Sequence, residues 1–189
     1  MNTHPIHLCA IAAFALALSA CSAEASAGNQ PNAAATGESP PATLTADTRR
    51  HITSALAAYE RVRAALVADR GDVAAAAREI AAGAREARGG APPALRAHLD
   101  GLVTEAGQLA GAPATDLPRL RREFGDVSRH VVALLTADES LARGVHVFEC
   151  PMAEGYGRWV QPSADISNPY MGTRMPACGS ETSFSSGGS

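Results

Sequence analysis

The chain has 189 residues and a formal net charge of −3 at pH 7, a length that suits one domain. Its 16 basic residues are all arginine. The slightly acidic balance gives no sign of nucleic-acid binding, which calls for a basic stripe. In chain order, Leu8 to Ala20 comes first, about 13 almost wholly apolar residues. That is long enough for the apolar core of a signal peptide and too short to span a bilayer.

The stretch ends Leu18-Ser19-Ala20-Cys21, small residues before a cysteine that resemble a bacterial lipobox. The resemblance implies a signal peptide over residues 1–21 and lipidation of Cys21. Residues 1–7 lack Lys and Arg, and Ala25-Ser26-Ala27 offers an alternative signal-peptidase cut. Either cut makes the mature chain extracytoplasmic. By similarity to lipoproteins of Gram-negative bacteria, Ser22 after the cysteine implies a lipid anchor in the outer membrane. Residues 22–42 are rich in Ala, Ser, Gly, Asn and Pro with no apolar period, a flexible tether. Cys9 leaves with the signal and Cys21 carries lipid, so the folded part holds Cys150 and Cys178. In an oxidising compartment such a pair tends towards a disulfide.

From Thr43 to about Leu141 the pattern is helical. The first helix, about 45–70, starts at Thr45 or Asp47 and carries Ile52, Leu56, Tyr59, Val62 and Leu66 at 3.6-type spacing. The second, about 72–88, is mainly alanine, with a thin apolar face that predicts the weakest docking of the four. Gly89-Gly90-Ala91-Pro92-Pro93 breaks it. The third spans about 93–110 and the fourth about 116–136, opened by Asp116-Leu117-Pro118. These segments predict a mainly α domain over residues 43–179, an up-down four-helix bundle. An irregular Cys/Met/aromatic segment, residues 144–179, packs on it. Val145-His146-Val147-Phe148 alternates in β fashion inside that segment. Residues 180–189 are Gly/Ser-rich and read as a disordered tail.

Chemistry concentrates in the last third, in Cys150-Pro151-Met152 and then Met171, Met175 and Cys178. Thiolate and thioether donors suit a soft cation such as Cu(I). Cys150 and Met152 share a face if the segment is extended. Met171, Met175 and Cys178 are spaced to meet across a helical turn or tight loop. Two thiolates with neutral thioethers compensate a monovalent cation. Structural zinc wants close Cys/His pairs and finds no C-x-x-C, and calcium or magnesium wants oxygen clusters that the sequence does not display. His146 is a further nitrogen donor, although a strand places it about 13 Å from Cys150. The alternative is a Cys150–Cys178 disulfide closing a loop of about 27 residues and contributing about 3–4 kcal/mol, with the methionines as core filler. Spacing leaves both readings open. His51, His98 and His130 fall on separate helices and read as solvated or partly buried side chains. No nucleophile–base pair or phosphate-binding glycine loop stands out, so no enzymatic activity is expected.

The block Cys150-Pro151-Met152-Ala153, Gly157-Arg158-Trp159, Asn168-Pro169-Tyr170, Gly172, Met175 and Cys178-Gly179 resembles a bacterial family of exported domains of unknown function. Its members stand alone or are fused to periplasmic adaptor subunits of copper/silver efflux pumps. Tyr59 with Ala65 to Asp69 is similar to the family's first helix, and Arg122, Phe124 and Ser128 to its last. The resemblance spans about Thr43 to Gly179. It implies heavy-metal handling in the periplasm, chiefly copper, through Cys150, Met152, Met175 and Cys178, with an efflux adaptor as partner. Met171 stands where the family usually has an aromatic, and Glu149 where it often has a His or aromatic. The competing expectation is an envelope interaction or scaffold lipoprotein that binds no metal and carries a disulfide-stapled cap.

Overall fold

The computed structural model describes residues 44–185. The signal peptide, Cys21 and the tether expected over 22–42 lie outside these residues, as do the last four residues of the tail. Among the described residues there are four α-helices, α1 (Ala46–Val67), α2 (Ala74–Arg88), α3 (Pro93–Gly111) and α4 (Leu117–Ala137). They fall within a few residues of the segments predicted from periodicity. Their starts obey the expected chemistry. Thr45 Oγ1 accepts from the Thr48 amide at 3.1 Å and Asp116 Oδ1 from the Arg119 amide at 3.1 Å, each satisfying an amide that the helix leaves without a partner. Proline occupies the first turn of α3 and of α4, where its missing N–H costs nothing. No described helix is long and apolar enough to cross a membrane.

Successive helices pack on one another, α1 on α2, α2 on α3 and α3 on α4, while α1 and α4 touch more narrowly. The weak docking expected of α2 is not observed. Its Ala77, Ile80, Ala81, Ala84 and Ala87 are buried, and α2 packs against both α1 and α3. The reason is size. With alanine and Gly83 at the contact, a Cβ on Gly83 would sit 2.9 Å from the His51 carbonyl oxygen, so the helices meet at backbone range and the loss of apolar bulk is offset by closeness.

The C-terminal segment is more regular than its composition suggested. Three strands, β1 (His146–Glu149), β2 (Arg158–Gln161) and β3 (Ser180–Thr182), form an antiparallel sheet in the order β2-β1-β3. A single 3₁₀ turn spans Gly172–Arg174. The expected β character at 145–148 is present, whereas Trp159-Val160, within the segment expected to be irregular, lies in β2. Ser180–Thr182, assigned to a disordered tail, pairs with β1, Glu149 opposite Ser180 and Val147 opposite Thr182.

A column of rings fastens this sheet to the helices. Phe148 stacks on Trp159 at 5.5 Å between centroids, and Trp159 meets Tyr170 edge-on at 5.9 Å. Tyr170 lies 5.9 Å from Phe124 of α4, which stacks on Tyr59 of α1 at 4.9 Å. All five rings are buried, and such pairs contribute about 0.5–1.5 kcal/mol each beyond their burial. Their polar atoms are matched. The Tyr59 and Ser128 hydroxyls are 2.8 Å apart, Trp159 Nε1 donates to Gln161 Oε1 at 3.0 Å, and the Tyr170 hydroxyl donates to the Arg158 carbonyl at 2.8 Å. Arg63, which falls off the apolar row of α1, is nonetheless buried. It is paired with Glu60 and donates to the Ser167 carbonyl at 2.8 Å.

A polar clasp secures the other end of the segment. Asp69, in the left-handed region at φ 54°, accepts from Arg121 of α4 and from the Thr173 hydroxyl and amide. Arg121 also donates to the Pro169 carbonyl at 3.0 Å. Gly172, at φ +58°, lies against the Asp69 carboxylate and the Arg121 guanidinium so closely that a Cβ would overlap both.

Two measurements check these contacts. Tyr59→Phe removes a buried hydroxyl that pairs with Ser128 and accepts from the Val160 amide, and is expected to cost about 1–3 kcal/mol in urea unfolding with an unchanged m-value. The Thr173 hydrogen bonds, then Arg121, hold the Asp69 carboxyl below its ordinary range. The clasp therefore stabilises the fold above the unfolded carboxyl value of about 3.9 and loses that contribution as pH falls through the lower folded value. Asp69→Asn should lower stability at pH 7 and flatten the acid limb of stability against pH below about 4. An unchanged acid limb would remove the clasp from the account.

Candidate metal centre

The two cysteines come together through two turns of the same design. Cys150 follows β1 directly, and the Ala153 amide donates to the Cys150 carbonyl at 3.2 Å. That closes a four-residue turn with Pro151 in its second position. At the other end the Cys178 amide donates to the Met175 carbonyl at 3.1 Å, closing a turn with Pro176 in the same place. Proline presets the backbone angle this position needs. Cys150 and Met152 therefore do not sit in an extended segment, as the spacing argument supposed, and the turn is what presents both sulfurs.

Register does the rest. Glu149 opposite Ser180 in the β1–β3 ladder sets Cys150 beside the 178–179 corner. Gly179, at φ +125°, allows the close approach, because a Cβ there would sit 2.6 Å from the Glu149 carbonyl oxygen and 3.2 Å from the Trp159 ring. Behind the corner, the buried Asn168 side chain donates to the Cys178 carbonyl at 2.6 Å and accepts from the Tyr170 and Met171 amides at 2.8 and 3.1 Å. Its own amide donates to the Pro176 carbonyl at 2.8 Å. One side chain thus positions both the cysteine turn and the Tyr170–Met171 backbone. The signal for it in the sequence was Asn-Pro, a turn initiator, although its partners could not be read there.

Cys150 Sγ lies 3.7 Å from Cys178 Sγ, and Cys178 Sγ lies 3.9 Å from Met152 Sδ. Cys150 is 3% exposed and Met152 57%, so the set opens to solvent on the methionine side. A cation about 2.3 Å from each sulfur sets neighbouring sulfurs about 3.8 Å apart in tetrahedral and about 4.0 Å apart in trigonal coordination. The two separations that meet at Cys178 fall at that spacing. A linear two-sulfur arrangement, about 4.6 Å across, would need the pair to open. A disulfide needs about 2.05 Å, so both cysteines are free thiols here, close enough to pair on oxidation. The hydrogen bond with Cys150 raises the Cys178 pKa above the ordinary thiol value, and partial burial and the neighbouring Cys150 charge add to it. A bound cation would remove that penalty by neutralising the second thiolate.

The remaining expected donors stand apart. Met175 is 40% exposed and opens the turn that the Cys178 amide closes. Met171 is 7% exposed and packs in the core. His146 Nδ1 is 2.7 Å from Glu181 Oε1 across the β1–β3 pair, which engages it away from the sulfurs.

Two clusters escaped the sequence reading because helix packing creates them. Oxygens of Glu105, Glu123 and Asp126, from α3 and α4, lie within 4.8 Å of one another, an oxygen cluster the sequence did not display. Burial, then Asp126 and Glu123, raises the Glu105 pKa. Arg129 lies 3.2 Å from Asp126 and Arg119 3.4 Å from Glu123, so arginines offset this charge. His98 and His130, read as separate, have ring centroids 6.3 Å apart. Burial, then the charge on His98, holds the His130 pKa below its ordinary value.

The thiol pair makes a direct prediction. Alkylation of Cys178 by iodoacetamide should begin at lower pH in Cys150→Ser than in the reduced wild type, because the serine removes the neighbouring thiol and its charge. Coincident pH–rate curves would show that the two thiols do not interact. Set against known proteins, the chain matches no family model, no curated protein and no solved structure.

Proposed function

We propose that this protein binds a soft monovalent cation, Cu(I), through Cys150, Cys178 and Met152, with Met175 at the rim as an auxiliary donor. The observation that carries this reading is the sulfur trio, two separations of 3.7 and 3.9 Å meeting at Cys178. Soft donors select soft ions, and two thiolates with a thioether leave a monovalent cation slightly overcompensated rather than strongly charged. The resemblance to domains fused to copper/silver efflux adaptors supports it on residues alone. Under this reading the protein is a lipoprotein anchored through Cys21, a periplasmic carrier that passes its ion to an efflux adaptor. The four helices, joined by short connections, act as an up-and-down bundle that holds the sulfur face steady. The reading involves no enzymatic activity.

Competition titration of the reduced chain against a Cu(I) chelator tests this. Cys150→Ser/Cys178→Ser should abolish competition, and Met152→Leu should weaken affinity about tenfold or more, a loss of about 1.4 kcal/mol or above. Met175→Leu should have the smaller effect. Equal binding by wild type and the double serine variant would end the proposal.

A second reading rests on the same 3.7 Å pair. As a scaffold lipoprotein, the chain would carry an oxidised Cys150–Cys178 staple across the β1–β3 corner. Material taken from the periplasm would then be lighter by two hydrogens and would carry no copper.

A further inference from the structure

We propose that the pocket at the first turn of α4 binds a small aliphatic carboxylate, a ligand separate from the cation proposed for the sulfurs. The pocket encloses about 170 Å³, below the roughly 300–1,000 Å³ of sites that take drug-sized molecules, so its occupant is small. Two kinds of surface face each other in it. Arg121, Arg122 and Arg174 supply guanidinium groups, and Tyr170, Met171 and Met152 supply an aromatic and two thioether walls. Pro118, in the first turn of α4, and Glu154 complete the rim.

The three arginines are not equivalent. Arg121 is committed to the clasp with Asp69 and the Pro169 carbonyl. Arg122 reaches only Glu154, at 3.3 Å, with both side chains half exposed or more, a pair that solvent and a competing anion can displace. Arg174, in the 3₁₀ turn, is exposed and has no ion pair or hydrogen bond among the described residues. Asp69 offsets Arg121 and Glu154 offsets Arg122, so among the described residues the charge of Arg174 is left over, which suits a monoanion.

The shape of the charge selects the chemistry. A guanidinium fork binds a carboxylate or a phosphate with two parallel hydrogen bonds. Inorganic phosphate, however, would leave the Tyr170, Met171 and Met152 wall facing water. A carboxylate with a short alkyl stem covers that wall while its oxygens reach Arg122 and Arg174. Met152 borders this pocket and the sulfur trio alike, but the carboxylate site needs no metal.

Methionine methyl NMR on the reduced, metal-free full chain tests this, since Met152 and Met171 line the pocket and Met175 does not. Titration with sodium butyrate at fixed ionic strength should give saturable shifts of the Met152 and Met171 methyls with Met175 unmoved. Butyramide, which has the stem without the charge, should give none. Phosphate should bind more weakly than butyrate. Arg122→Gln and Arg174→Gln each remove a charge-assisted bond and should weaken butyrate about tenfold or more. Arg119→Gln, exposed on α4 outside the pocket, should leave it unchanged. Both pocket arginines are exposed, so their variants keep the fold, which circular dichroism verifies. Shifts that never saturate, an equal response from butyramide, phosphate as tight as butyrate, or undiminished affinity in Arg174→Gln would each overturn the proposal. Because no metal is present, none of these outcomes bears on Cu(I) binding.

Discussion

The pairing of β3 with β1 is the constraint on which the sulfur face depends. Three residues, Ser180–Thr182, lie along β1 with Ser180 opposite Glu149, and that register brings Cys178 to within 3.7 Å of Cys150. A shift by one residue would turn the β3 side chains to the other face and carry Cys178 away. So short an edge strand is not stable by itself, and its hold is distributed. Arg158 donates to the Ser183 carbonyl at 2.6 Å, Thr136 of α4 donates to the Phe184 carbonyl at 3.2 Å, and Phe184 packs partly against the core.

Two further devices transmit this order to the helices, one apolar and one polar. The column from Phe148 through Trp159, Tyr170 and Phe124 to Tyr59 ties sheet to α4 and α1 by ring contacts. The Asp69–Arg121 clasp ties the end of α1 and the start of α4 to the turn at Gly172–Arg174. Asn168 lies between them and satisfies backbone groups of Tyr170, Met171 and Cys178 at once. Buried amides of this kind fix one arrangement of the chain because every alternative leaves polar atoms unpaired. Sulfurs mounted on such a frame lose little order on engaging a ligand. The frame is also asymmetric, with Cys150 buried against it and Met152 exposed, so exchange at the proposed site proceeds from the Met152 and Cys178 side.

Much of the helical part was legible in the sequence because its signals are local. The apolar row from Ile52 to Leu66, the Thr45 and Asp116 caps and the prolines at 93 and 118 are properties of neighbouring residues. Tyr170 and Trp159 likewise fill the packing role that bulky aromatics usually take. Arg63 was harder. It lies off the apolar row, and its burial follows from its pairing with Glu60 and from the Ser167 carbonyl and Gln161 side-chain oxygen that the C-terminal segment brings over it. The docking of α2 departs from expectation for a related reason, since apolar bulk is a poor measure of packing where alanine and Gly83 permit close approach.

By itself the sequence determined that four amphipathic helices would form and that soft donors would gather between residues 150 and 178. Those are consequences of short-range periodicity and of residue chemistry. Tertiary structure alone decided which sulfurs meet. Ser180-Glu181-Thr182 is polar, carries no alternation and reads as tail, and it becomes a strand only because β1 offers it an unpaired edge. Met171 was drawn into the core and His146 to Glu181, while Met152 was brought to Cys178 by a turn rather than by extension. Register, unlike periodicity, is a relation between distant segments, and a relation of that kind is set by packing.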